Sequence, residues 1–223
     1  MWTAASEDEQ VLKTLRFLGI PFVIIDRPVG RGSGYDLVAY DGEKAAVETV
    51  RYLASRGHRK IGFIGWDSQV VSSRVAGFRK AVSDLGLSGE DCPIFLGNLS
   101  RDSGRDLAFR CLSQGRVSAL FIGHHHIGEG AVMAISQLGI AVPDDLSVII
   151  YGSPTWAEVN CPAYTVVRLP DTEIGQQGMS MLLKKIENGE RSPEQVWLDC
   201  ELVVRDSVKD MWCGAGTTHL HNE

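Results

Sequence analysis

Residues 57–65 read Gly57-His58-Arg59-Lys60-Ile61-Gly62-Phe63-Ile64-Gly65. A helix-ending glycine and basic residues come first, and then a short apolar run that stops at another glycine. That is how a helix hands over to a buried strand in an α/β protein. The neighbouring sequence repeats this grammar. A helical pattern over Glu43–Arg56, with Ala46, Val50 and Leu53 on one face, precedes the strand Lys60–Ile64. A helix from about Ser72 to Leu85 follows, with Val75, Phe78 and Val82 inward. Next come a strand at 93–96, a helix from about Ser103 to Gln114 and the strand 119–122. A helix from about Gly128 to Leu138 and the strand Leu146–Tyr151 complete the series. Strand and helix alternating at short, regular spacing predict a parallel sheet covered by helices, with right-handed crossovers.

The flanks carry the same elements in a changed order. Ser6-Glu7-Asp8-Glu9 reads as a capped helix start, and Val11, Leu12, Leu15 and Leu18 have helical spacing up to Gly19. The run Pro21–Asp26 is continuously apolar, as in a strand buried on both faces. Residues 27–35 read as a glycine-rich loop and 36–40 as a short strand. After Tyr151, residues 164–168 are extended and Thr172–Glu187 helical, with Ile174, Met181, Leu182 and Ile186 inward. Residues 195–204 read as one further strand, and Lys209–Glu223 as a tail without periodicity.

Bulk properties narrow the function classes. With 223 residues, 44% of them hydrophobic, the chain can build one large domain or two lobes. Net charge is 22 − 28 = −6, which argues against a nucleic-acid grip by this chain itself. Five scattered cysteines, none in a CxxC pair, predict a reducing compartment rather than a disulfide framework. The N-terminus lacks the basic start and apolar run of a signal peptide, and no stretch approaches the roughly 20 apolar residues of a membrane span. A cytoplasmic protein without membrane contact is expected.

In an open α/β sheet, ligands bind beyond the carboxyl ends of the strands. The positions to inspect are Asp26-Arg27, Tyr40-Asp41, Trp66-Asp67-Ser68, Leu99-Ser100, His124-His125-His126 and Gly152-Ser153, with Trp156 a little further on. Gly30-Arg31-Gly32-Ser33-Gly34 lacks the spacing of a dinucleotide fingerprint and is read as a loop. Three successive histidines point in different directions in an extended loop, so pocket-lining or solvated imidazoles are expected rather than a metal site; His219 and His221 could join only if the tail folded back. No hydrolase elbow, HExxH or Walker sequence is present. Asp26, Asp41 and Asp67 could form a carboxylate cluster or could each cap a helix or loop. No catalytic residue, metal or cofactor is assigned.

The opening stretch, with Ser72–Phe78 after it, resembles the effector-binding domain of LacI/GalR-type bacterial transcription regulators. Further motifs agree in order. Gly19–Arg27 (GIPFVIIDR) resembles the family's GIPVVLIDR, and Leu138–Val148 resembles LGLRVPEDVSV. Thr165–Pro170 with Ile174-Gly175 resembles TTVRQP and its following helix, and Glu201–Ser207 resembles ELVVRES. The likeness runs from about residue 5 to 208.

The resemblance implies a two-lobed, periplasmic-binding-protein-like α/β fold with parallel sheets. Its lobes close on a small molecule such as a sugar or nucleoside, and closure changes DNA affinity by population shift. It implies residues 1–41 plus 169–192 as a remnant of the N-terminal lobe, 42–168 plus 193–208 as the C-terminal lobe, and 209–223 as a tail. A homodimer is implied as well. Arg74 stands where the family's ligand-binding arginine stands, Asp26 at an acidic pocket position and Tyr40 at a pocket aromatic. With Trp66, His124, His125, Ser153 and Trp156 they make the expected ligand-binding set.

The departures bear on the ligand. The family's Asn-Asp is His124-His125 here, its acceptor Asp is Gly152, and the Gln of TTVRQP is Leu169. Residue 1 falls near the third strand of the family's N-terminal lobe. The helix-turn-helix and the first strands are therefore expected to be missing, with DNA reached only through that absent head. An apolar edge around Val23–Ile25 should then lie exposed. Two other readings stay open: a stand-alone solute-binding protein of this fold, and a metal-dependent enzyme using His124–His126.

Overall fold

The computed structural model describes residues 9–26, 34–67, 69–113, 117–188 and 192–212. From the N-terminus the elements are α1 (Glu9–Phe17), β1 (Ile24–Ile25), β2 (Leu37–Tyr40), α2 (Gly42–Ser55), β3 (Ile61–Trp66) and α3 (Gln69–Asp84). Then come β4 (Ile94–Gly97), α4 (Arg101–Leu112), β5 (Ala119–Ile122), α5 (His125–Gln137) and β6 (Ser147–Tyr151). The chain closes with α6 (Thr155–Val159), β7 (Thr165–Arg168), α7 (Asp171–Asn188), β8 (Gln195–Leu198) and β9 (Glu201–Val203). The expected fold class holds: an α/β protein with parallel-dominated sheets, in which β1-β2-β8 and β4-β3-β5-β6-β7 pair in parallel.

The chain divides into two compact units, residues 1–42 with 169–201 and residues 43–168 with 202–223. The smaller holds a three-stranded parallel sheet in the order β1-β2-β8. Its two faces follow from strand alternation. Ile24, Leu37 and Ala39 pack on Leu12 of α1. Val23, Ile25 and Val38 pack on Ile174 and Met181 of α7. The apolar edge expected to lie open around Val23–Ile25 is therefore buried, because α1 and α7 cover it; Val23 and Ile24 are each 1% exposed. Ile186, expected inward, is exposed, two residues before the end of α7. The candidate cap Ser6 lies outside the described residues.

The larger unit is built on a six-stranded sheet in the order β4-β3-β5-β6-β7-β9. Its centre is as apolar as the sequence demands, with the Phe63 ring centroid 5.5 Å from that of Phe78 and 5.3 Å from that of Phe121. Helices pack unusually close to one another where glycine permits it. A Cβ on Gly130 of α5 would lie 1.8 Å from the Arg101 carbonyl of α4, and one on Gly77 of α3 would lie 2.2 Å from the Glu43 carbonyl of α2.

The opening stretch does what it promises. Gly57 has φ +90°, and the His58 amide bonds back to the Leu53 carbonyl at 3.1 Å, a left-handed helix end that releases the chain into β3. Two corrections concern boundaries. The single strand expected over 195–204 is two, β8 in the small sheet and β9 in the large one, because β8 pairs with β2 through Leu37↔Gln195 to Tyr40↔Leu198. Residues 193–201, assigned above to the second lobe, thus run with the first unit. Residues 209–212, read as tail, are docked. The Met211 amide donates to the Arg56 carbonyl at 2.8 Å, the Trp212 indole to the Ser55 carbonyl at 3.1 Å, and Arg56 pairs with Asp210 at 3.0 Å. They supply partners for the carbonyls at the end of α2.

Candidate functional site

In the large sheet, β3 is followed by β4 on one side and by β5 on the other. Strand order reverses there, and the crevice at the carboxyl ends of β3 and β5 is where such sheets take ligands. Four sequence-nominated positions meet at this end of the sheet. Trp66 ends β3. His124 follows Gly123 after β5, His125 opens α5, and Gly152 follows Tyr151 after β6.

Arg74, on the inner side of α3, is the charged member. It is 5% exposed. Its Nη1 donates to the Gly123 carbonyl at 2.9 Å, its guanidinium lies 3.7 Å from the Tyr151 ring centroid, and Trp66 stands at 5.4 Å. Its Nε is buried without a hydrogen-bond partner. Among the described residues no carboxylate pairs with it. A desolvated cation held only by a carbonyl and ring faces is costly, and such a cost is retained where a ligand relieves it.

The histidines form a stack. His124 and His125 rings are 4.3 Å apart at 25°, His124 and His126 5.4 Å apart at 27°, and Trp66 meets His124 edge-on at 4.8 Å. His124 also caps α5: its Nδ1 accepts from the His126 amide at 3.2 Å. Capping explains why α5 starts at His125, three residues before its expected beginning. His126 lies 3.7 Å from Glu129. Among the described residues no group of three or more His, Cys, Asp and Glu side chains is placed to share a metal ion. His219 and His221 lie outside the described residues.

Gly152 has φ +96°, and a Cβ there would meet His125 Nδ1 at 2.9 Å. The His125 ring occupies the space a side chain at 152 would need, so the glycine and the histidine go together. Ser153 is exposed. Trp156, on α6, packs on the core beside Gly128, and its indole nitrogen is buried without a partner. Ser68 lies outside the described residues.

The two nominees of the small unit stand at the carboxyl ends of its strands. Asp26, just after β1, has φ +69°, a conformation that costs a non-glycine residue about 1–2 kcal/mol. The Tyr40 hydroxyl donates to Asp171 Oδ1 at 2.7 Å. Tyr151 was missed by sequence reasoning. It ends an apolar strand and is 1% exposed, so alternation reads it as core, yet its ring carries Arg74.

Residues 50–208 match the periplasmic binding protein-like domain family. The chain belongs to that family. Within it, the likeness is to the effector-binding domain of LacI-type regulators. A curated relative, the HTH-type transcriptional repressor PurR of Escherichia coli O1:K1 / APEC, is 31% identical over 194 residues, which are 86% of this chain and 57% of the repressor. This periplasmic binding protein-like chain thus spans just over half the length of that relative. Among solved structures, a LacI family transcriptional regulator from Enterococcus faecium with bound ribose superposes with a TM-score of 0.84 at 22% identity, covering 94% of this chain and 78% of the other. At that identity it shows the fold alone. The transcriptional regulator CelR in complex with cellobiose gives 0.80 at 26% identity, over 90% of this chain and 62% of CelR. Among the described residues no helix is long and apolar enough to cross a membrane.

Proposed function

We propose that this chain is the effector-sensing part of a LacI-family transcription regulator, taking a small molecule at the carboxyl ends of β3, β5 and β6. The observation that carries the reading is Arg74: a buried guanidinium at the strand-order reversal with no counter-charge among the described residues. Trp66, His124 and His125 line the same strand ends, with Ser153 and Trp156 beyond them. Asp26 and Tyr40, at the strand ends of the small unit, are proposed as ligand contacts of that unit, and the left-handed backbone at Asp26 supports a working position there. PurR is named as a repressor, and CelR carries cellobiose, which supports a sensor rather than a catalyst. Binding shifts the balance of states in the whole regulator and thereby its DNA affinity, without turnover of the ligand. A cytoplasmic homodimer is part of this proposal.

A thermal-shift screen against sugars, nucleosides and small carboxylates tests it. Binding to the native state raises the melting midpoint by mass action. We expect a rise with one compound class that Arg74→Ala abolishes. A rise caused only by zinc, lost on replacing His124–His126, would contradict the reading and establish the metal site instead.

A further inference from the structure

The strand ends described above hold one kind of chemistry and lack another. They hold donors and flat rings. Arg74 presents a planar fork whose Nη1 is spent on the Gly123 carbonyl and whose Nε has no partner. Trp66 stands 5.4 Å from it and meets His124 edge-on, and the His124 and His125 rings stack 4.3 Å apart. Among the described residues they lack buried carboxylates. Of Trp66-Asp67, Gly123-His124 and Gly152-Ser153, only Asp67 is acidic, and it is exposed. Nor is there room to place an acceptor side chain at 152, where His125 Nδ1 would lie 2.9 Å from any Cβ.

Ligand chemistry follows from this inventory. A polyol presents many hydroxyl protons and needs several acceptors, and a neutral imidazole offers only one. A buried guanidinium fork without a counter-ion selects an acceptor-only, anionic group, which it can take bidentately. A ledge of parallel imidazoles with an indole edge favours a flat, unsaturated ring by stacking. We infer that the effector is an aromatic carboxylate, its anionic group on Arg74 and its ring against the Trp66–His124–His125 stack. This rests on the proposed effector site and specifies what that site accepts.

The test is calorimetric titration of the chain with benzoate, 4-hydroxybenzoate, phenylacetate, cinnamate and indole-3-acetate, each paired with its carboxamide, and with D-ribose and hypoxanthine. We expect at least one acid to bind, its carboxamide to bind at least about tenfold more weakly, and ribose not to bind. Arg74→Lys keeps the charge but loses the fork, and should weaken the acid by a similar factor while the protein still melts cooperatively. The acid–amide comparison needs no variant, so a folding defect in Arg74→Lys leaves the test intact. Equal affinity for acid and amide would overturn the inference. Arg74-dependent binding of ribose or hypoxanthine alone would overturn it too, while leaving the effector site standing. Binding of none of these compounds would overturn the inference and count against the site as well.

Discussion

Arg74 and His58 are both buried polar groups without full satisfaction, and they differ in purpose. Arg74 faces a strand-end crevice. His58 lies under the docked residues 209–212, 1% exposed, with Nδ1 2.9 Å from Ser118 Oγ and Nε2 unpartnered. Burial pushes the His58 imidazole below its ordinary value of 6.5, and the Lys209 backbone and Asp210 offset this only in part. The unfolded chain therefore takes up a proton that the native one refuses until lower pH. The His58 contribution is complete above about pH 6.5 and is lost as pH falls through the depressed native value. Urea midpoints at pH 7.5 and 5.5 should show a loss of stability in the wild type that His58→Gln reduces. An unchanged pH slope in the variant would show that His58 does not set this dependence. Legibility at this scale was uneven. The strand-end rule found Trp66, His124 and Gly152, but Arg74 sits on a helix and only family resemblance singled it out. Tyr151 was hidden because a ring that floors a guanidinium looks, in sequence, like any residue ending a buried strand.

At the scale of elements, helix contacts in the larger unit depend on missing side chains. Gly130→Ala would drive a methyl group into the Arg101 carbonyl, 1.8 Å away, and must separate α4 from α5. We expect a loss of about 3 kcal/mol or more in urea unfolding. Gly175→Ala in α7, where a Cβ meets nothing within 4 Å, should instead gain about 1 kcal/mol from helix propensity. Similar losses at both positions would mean that backbone approach is not what holds α4 to α5. Most elements were legible because their apolar period matched their structure, as Val75, Phe78 and Val82 on α3 show. The run 195–204 was not. Both halves favour strand, and only tertiary pairing sends β8 to β2 and β9 to the edge of the large sheet. The short helix α6 was missed because five residues carry no measurable period.

At the scale of the whole molecule, alternating strands and helices specified a parallel α/β architecture, and ordered motifs specified the family. The division into two units was harder to read, because each crossing point lies inside a sequence that looks locally continuous. The expectation of an open apolar edge failed for a physical reason: α1 and α7 already sandwich β1. With the imidazoles stacked and capping α5, a chelator should leave the melting midpoint unchanged. A fall with EDTA, reversed by zinc, would contradict that.

Arg74→Met tests most directly whether a buried cation without a carboxylate partner among the described residues marks the effector site. Replacing a desolvated, uncompensated charge by an apolar side chain of similar length should hold or raise the stability of the ligand-free chain, by up to about 2 kcal/mol. The same change should abolish every ligand-induced rise in melting midpoint. Retained ligand shifts, or a fall in ligand-free stability of several kcal/mol, would show that Arg74 is a structural residue and that the site lies elsewhere.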